Sequence, residues 1–349
     1  MRYPDFLPDG GRIGFIAPSF GCTTEPYASC FDEAVRNFES MGYKCVEGPN
    51  CREEKGLGKS NTPEKCGEEI NEFFLKDRSD IIISCGGGET MSEDLPFVDF
   101  ERIGQAKPKW FMGYSDNTNL VLTLPTLCDT AAIYGPNAPS FGQRPRHQSL
   151  DDAFSLLKGD KLRFTSYPQW EKPGDEEYAL AKEENPYLPY NCTEPNNIKL
   201  AGSAAGQKGV SFSGRMLGGC LELLLLLCGT RYDKVKEFNQ RYKEDGVVWF
   251  IEACEFNSLD VRRSLWALSQ AGWFENAAGF IMGRPGNYED CSLGLSQEQA
   301  VTDALKDFKL PIILNADIGH LPPQMPVIAG ACGEVKAEPQ SLTLEYYLQ

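Results

Sequence analysis

The chain has 349 residues, with 34 Lys and Arg against 50 Asp and Glu, giving a formal net charge of −16. Hydrophobic residues make up 41%, enough for a sizeable core, and the length favours two domains over one. The acidic balance, with no Lys/Arg run, argues against nucleic acid and anionic membranes as partners.

The first part of the chain alternates between strand-like and helix-like patterns. RIGFIAP (12–18) is a continuous apolar run bounded by Gly and Pro, as a strand buried on both faces requires. Cys30, Ala34, Phe38 and Met41 then recur at helical spacing over 26–41. KCVEG (44–48) reads as a short strand and 63–77 as a helix. DIIISCGGG (80–88) is a strand running into glycines. KWFMGYS (109–115) is another strand, NTNLVLTL (117–124) opens a helix, and AAIYGP (131–136) is a fifth strand. This alternation predicts a parallel sheet covered on both faces.

From about 142 to 205 the texture becomes rich in Pro, Asn, Glu, Lys and Tyr, and periodicity fades. It reads as a linker carrying a long functional loop rather than a core element. A second ordered unit begins near 206, with a helix at 217–228 and a strand at 247–253. It continues with a helix at 258–271, strands at 279–284 and 311–317, and a terminal strand near 341–348. The expected division is 1–150, 151–205 and 206–349.

Thirteen cysteines, odd in number and irregularly spaced, contain no C-x-x-C pair. MRYPDFLPDGG lacks the pattern of an export signal. The expectation is a cytoplasmic protein with reduced thiols, in which the Asn191–Cys192–Thr193 sequon is fortuitous. The longest apolar run, LELLLLLC (221–228), is too short to span a bilayer.

Histidine is scarce: His147 and His320 alone could supply an imidazole base. His147 sits in a polar, Pro-interrupted stretch. His320 follows a strand, where open α/β folds place their sites; the alternative is a solvated bystander. Ser115, in FMGYSDNTNL, lies where an apolar strand meets a helix. A serine on such a turn exposes Oγ and aims the next backbone N–H at a developing oxyanion. Gly113 fits the usual G-x-S-x-G elbow, but Asn117 replaces the second glycine, a residue that tolerates unusual backbone angles. Ser115 or Asp116 could instead be a helix cap.

The triplet Gly86–Gly87–Gly88 allows close backbone approach to a ligand, as an oxyanion donor, a phosphate cradle or a tight turn. Neither GxGxxG nor a Walker-type lysine accompanies it. Glu252 closes the apolar strand VVWFI, where a carboxylate could orient a histidine or face water. Arg262 and Arg263 read as surface charges. Two dissimilar histidines and no paired cysteines give no case for a metal, and no cofactor is expected. Cys85, before the glycines, is the one thiol that could serve a Cys-nucleophile reading.

Taken in order, RIGFIAPSF, the GGG turn, GYSDNTNL, IYGPNA, GRMLGGCLELLLLLCGTRYD, WFIEACE and ADIGH resemble the serine-type LD-carboxypeptidase family, which includes the microcin C immunity peptidases. The resemblance runs from about 11 to 330. It implies an α/β protein: an N-terminal parallel-sheet domain, flavodoxin- or amidotransferase-like, and a smaller swivelling β/α C-terminal domain. It also implies a homodimer. The catalytic residues implied are Ser115 as nucleophile, Glu252 and His320, with the Asp116 and Gly87 backbone N–H groups as oxyanion hole.

The implied activity is release of D-Ala from an L,D amide bond of a murein tetrapeptide. The alternatives are an aminoacyl-nucleotide toxin as substrate, or a non-catalytic binding protein on the same fold. The murein branch's Arg-Gly-Gly-Tyr-Gly turn is here Gly86-Gly87-Gly88-Glu89-Thr90, so Gly88 is a substrate contact without that branch's Arg and Tyr. The 166–205 insert resembles the immunity branch, in which an aromatic loop residue stacks on a nucleobase. Trp170 is the residue for that role, or else a hydrophobic anchor of the insert.

Overall fold

The computed structural model describes residues 1–348. The first lobe is built from β1 (Arg12–Ile16), α1 (Tyr27–Ser40), β2 (Lys44–Glu47), α2 (Pro63–Leu75), β3 (Ile81–Ser84), α3 (Phe100–Gln105), β4 (Trp110–Gly113), α4 (Thr118–Cys128) and β5 (Ala132–Tyr134). These strands pair in parallel in the order β5-β4-β3-β1-β2. All four residues of β3 and of β4 are buried, which is why the strands read as unbroken apolar runs. Helix α1 turns Phe31, Ala34 and Phe38 inward at three- and four-residue spacing. Helix α2 starts with Pro63 at its first position, where the missing N–H costs nothing.

The middle of the chain is more ordered than its composition suggests. It forms α5 (Gln148–Lys158), β6 (Arg163–Thr165), β7 (Gln169–Trp170), α6 (Glu176–Glu184), β8 (Glu194–Pro195) and β9 (Lys199–Gly202). Strands β7 and β8 make a two-residue ladder, and α6 buries no residue. The short edge strands have no alternation long enough to register in a sequence window.

The second lobe comprises β10 (Val210–Cys220), α7 (Leu221–Leu227), α8 (Val235–Arg241), β11 (Val247–Glu252), α9 (Ser258–Gln270), β12 (Ala277–Gly283), α10 (Gln297–Leu305), β13 (Pro311–Ala316), β14 (Val327–Ala329), β15 (Cys332–Glu338) and β16 (Ser341–Tyr347). Strand order is β6-β16-β15-β10-β11-β12-β13-β9, with β10 to β13 parallel. The lobe expected to be smaller thus carries the wider sheet, eight strands against six, because β6 and β9 join it from the middle segment. The helix expected at 217–228 begins only at Leu221; residues 217–220 finish β10.

Two features bind the lobes together. Strand β14, which follows His320 in the chain, leaves the second lobe and pairs antiparallel with β5, Val327 opposite Tyr134. Helix α4, buried along its first nine residues and at Cys128, packs against β10 and α7 as well as its own sheet. At Gly219 a Cβ would lie 2.6 Å from the Thr118 side chain. One hydrophobic cluster consequently runs from Phe15 and Ile83 through Tyr134 to Phe250 and Ile281. No helix among the described residues is long and apolar enough to cross a membrane.

Candidate functional site

The carboxyl ends of β3 and β4 meet the ends of β11 and β13 at the junction of the lobes. At the end of β4 the chain turns abruptly: Tyr114 is extended, Ser115 has φ +64°, and Asn117 begins α4 with ordinary helical angles. A non-glycine residue held at positive φ costs roughly 1–2 kcal/mol and persists only where its surroundings dictate it.

The unusual angle therefore falls on Ser115 itself and not on Asn117, where the sequence pattern put it. Asn117 acts through its side chain. Its Nδ2 donates to Gly86 O (2.8 Å) and Tyr114 O (3.0 Å), tying the glycine turn to the elbow. A Cβ on Gly113 would meet the Asn117 side chain at 2.8 Å, so Gly113 is needed for that packing. Neither Ser115 nor Asp116 caps α4 by its side chain.

The glycine turn lies directly against the elbow. Phe20 N donates to Gly87 O (3.0 Å) and Ser84 Oγ to Gly86 O (3.0 Å). A Cβ at Gly87 would stand 2.9 Å from Ser115 Cβ and 3.1 Å from its Oγ; one at Gly88 (φ +153°) would strike Ser19 Oγ at 2.2 Å. Asp116 is fully buried. Its Oδ2 accepts from Ser19 Oγ (2.6 Å) and Met91 N (3.0 Å), and Oδ1 from Asn119 Nδ2 (3.1 Å), so one carboxylate clamps the elbow to both flanks of the turn. Burial nonetheless raises its pKa.

Across the junction, Glu252 at the end of β11 is buried and accepts on both oxygens. His320 Nδ1 lies 3.0 Å from Oε2, and Tyr134 Oη donates to Oε1 at 2.5 Å. The His320 ring also sits 5.0 Å from the Tyr114 ring. Burial alone would lower the imidazole pKa, but the Glu252 carboxylate and the Cys254 thiol outweigh it and hold it well above the usual 6.5. Ser115, His320, Gly87 and Gly88 all line one open cleft of about 340 Å³, with Phe20 and Tyr27 at its side. None of the residues lining it is Lys or Arg. A nucleophile-sized hydroxyl, an imidazole fixed by a carboxylate, and a glycine turn in contact with the hydroxyl carbon are the parts that acyl transfer uses.

The family model for the LD-carboxypeptidase N-terminal domain matches residues 13–135, and that for the C-terminal domain matches 213–335. The chain belongs to the LD-carboxypeptidase family. It is therefore a serine-type peptidase. Relatives span its whole length: it is 25% identical to the carboxypeptidase-like protein VC_A0337 of Vibrio cholerae, covering 99% of this chain and 98% of the other. It is 24% identical to the microcin C7 self-immunity protein MccF of Escherichia coli, covering 98% and 95%. The solved structure of MccF in complex with aspartyl sulfamoyl adenosine has the same two-domain fold, with TM-score 0.79 and 22% identity over 100% of this chain and 99% of that one.

The remaining candidates in this peptidase lie elsewhere. Trp170 is only 4% exposed. The Arg284 guanidinium lies 4.6 Å over its ring, Tyr288 packs edge-on, and its N–H donates to Pro195 O. One face is thus covered by Arg284 and the ring is largely buried, so in this structure the residue anchors the insert. His147 caps α5, its ring accepting from Ser149 N (3.1 Å), between Tyr167 and Tyr190.

Cys85 is sealed beneath the glycine turn, its thiol pushed well up by burial, the opposite of an activated nucleophile. Arg262 and Arg263 pair with Asp303 and Asp260 at the surface.

Sequence reasoning missed Tyr134 and Glu222. Glu222 Oε1 accepts from three consecutive backbone N–H groups, Cys254, Glu255 and Phe256, at 2.9–3.1 Å, fixing the loop behind Glu252. A glutamate inside GGCLELLLLL carries no signal of that role.

Proposed function

We propose that this peptidase is an LD-carboxypeptidase that cleaves the L,D amide bond of a murein tetrapeptide and releases D-Ala. Ser115 Oγ attacks the amide carbonyl while His320 takes its proton. Glu252 holds the imidazole and stabilises its charged form. The oxyanion lies between the backbone N–H groups of Asp116 and Gly87. His320 then protonates the leaving amine, and water releases the acyl-enzyme.

The observation that carries this reading is the strained Ser115, pressed against the glycine turn in the same cleft as a carboxylate-held imidazole. Such strain is retained where chemistry needs the exposed side chain. The protein would work in the cytoplasm as a homodimer.

A second substrate class, an aminoacyl-nucleotide, is favoured by the end-to-end similarity to MccF and by that protein's complex with aspartyl sulfamoyl adenosine. Purified enzyme offered murein tetrapeptide and an aminoacyl sulfamoyl adenosine in parallel decides between them. Release of D-Ala from the first alone supports the proposal, and cleavage of the second alone replaces it. Failure of a serine-directed fluorophosphonate to label Ser115 overturns both.

A further inference from the structure

We propose that Tyr134 is a positioning residue of the reaction, its hydroxyl fastening the acid of one lobe to the nucleophile turn of the other; this rests on the assignment of Ser115, His320 and Glu252 above. Tyr134 ends β5 and is fully buried. Its hydroxyl has one proton to give and two neighbours. Ser115 N, 3.2 Å away, can only donate, and Glu252 Oε1, 2.5 Å away, accepts. The phenol therefore takes the Ser115 N–H on its oxygen and gives its own proton to the carboxylate.

That arrangement is fixed from every side. Glu252 Oε2 is committed to His320 Nδ1. The Tyr134 ring is held against Phe250 (5.6 Å) and edge-on to Tyr114 (6.3 Å), so the hydroxyl cannot swing away. Burial first, then the Glu252 carboxylate, keeps the phenol protonated far beyond its ordinary range, and it remains a donor at every working pH.

Two consequences follow for the chemistry. The bond to Ser115 N anchors the first residue of a turn that the backbone would otherwise relax. The bond to Glu252 Oε1 withdraws charge from the carboxylate that faces His320, so the tyrosine sets how strongly the imidazolium is held. The groups facing His320 are Glu252 from β11, Cys254 from the loop after it, Tyr114 from the end of β4 and Glu89 from the glycine-turn loop. Of these, only Glu252 is hydrogen-bonded to Tyr134.

The test is Tyr134→Phe, which keeps the ring in the core and removes only the hydroxyl. Two readouts are needed: fluorophosphonate labelling of Ser115 as a function of pH, which requires no knowledge of the substrate, and steady-state kinetics on whichever amide is cleaved. The expected result is a 10- to 100-fold lower kcat and labelling rate, KM within about threefold, and an acid limb moved to higher pH. The limb moves that way because the more basic carboxylate holds the imidazolium more tightly.

In a Glu252→Gln background the same change should cost less than in the wild type, because the charged carboxylate is gone and only the anchor on Ser115 N remains to be lost. Wild-type labelling at Ser115 with an unmoved limb in Tyr134→Phe overturns the proposal and leaves the triad standing. Absence of labelling in the wild type overturns the triad and the proposal together. A kcat loss that is undiminished in the Glu252→Gln background also overturns it.

Discussion

Gly319 faces Glu252 with no room for a side chain: a Cβ there would lie 2.6 Å from Oε2 and 2.8 Å from the Glu252 Cβ, at a φ of +110°. Gly283 closes the other side, its Cβ position 2.6 Å from Glu252 Cβ. The glycine preceding His320 thus lets the histidine loop pass over the carboxylate closely enough to bond it. Gly319→Ala should displace Glu252 and cost about 1–3 kcal/mol of stability from the backbone angle and the overlap. Turnover should fall at least tenfold, as checked by thermal unfolding and steady-state assay. Unchanged turnover would show that the Glu252–His320 pair is dispensable.

The pH profile should be alkaline. Only the neutral imidazole can act as base, and the carboxylate and thiol beside His320 outweigh burial to raise its pKa, so kcat/KM should climb through an acid limb displaced above pH 6.5. Glu252→Gln removes the main attraction and leaves burial to act; the limb should move to lower pH while kcat falls about 10³–10⁴-fold.

The stability sign follows the same linkage. A histidine whose folded pKa is raised contributes stability that is full below its unfolded pKa and lost as pH rises through the folded one. The Tm gap between wild type and Glu252→Gln should shrink on the alkaline side.

Gly87→Ala tests the oxyanion turn. The added methyl meets Ser115 Cβ and Oγ at 2.9 and 3.1 Å, and the Phe20 bond to Gly87 O prevents the turn from retreating. Activity should fall about 10²–10³-fold with circular dichroism unchanged.

Glu222→Ala should leave three adjacent N–H groups without their shared acceptor, at a cost of about 1–3 kcal/mol. The loop carrying Cys254 loosens beside His320, so kcat should drop with little change in KM. Glu222→Gln, which keeps one oxygen, should lose less on both counts.

The insert is held by a buried ion pair. Arg284 Nη2 lies 2.9 Å from Asp317 Oδ1, both side chains essentially inaccessible, and Asp317 Oδ2 accepts from Tyr167 N. Arg284→Met leaves a buried unpaired carboxylate and should cost about 3–5 kcal/mol. It also uncovers Trp170, so limited proteolysis should cut within 166–205 sooner. Adding Asp317→Asn should recover part of the loss.

Most of the parallel strands were legible because a strand buried on both faces must be apolar along its length, as in III at 81–83 and VVWFI at 247–251. The middle segment was not. Helix α6 buries nothing, and β6 and β9 survive only as edges on a sheet built elsewhere. Likewise LGGCLELLLLL reads as one apolar helix, yet its first four residues are strand. A Cβ at Gly218 would fall 1.7 Å from Phe250 O, a constraint that exists only once β11 lies alongside.

What the sequence determined by itself was the set of local conformations and the family order of its segments: an apolar strand breaking at Ser115, glycines at 86–88, a glutamate ending a strand, a histidine after a glycine. Hydrophobic periodicity and glycine placement act over a few residues, so they survive in a linear reading. The tertiary structure decided which of these groups meet. Glu252 reaches His320 across 68 positions and Tyr134 across 118, Trp170 is covered by Arg284, and β14 returns to the first sheet. Such pairings depend on how two sheets pack through a shared core, and no local pattern encodes that distance.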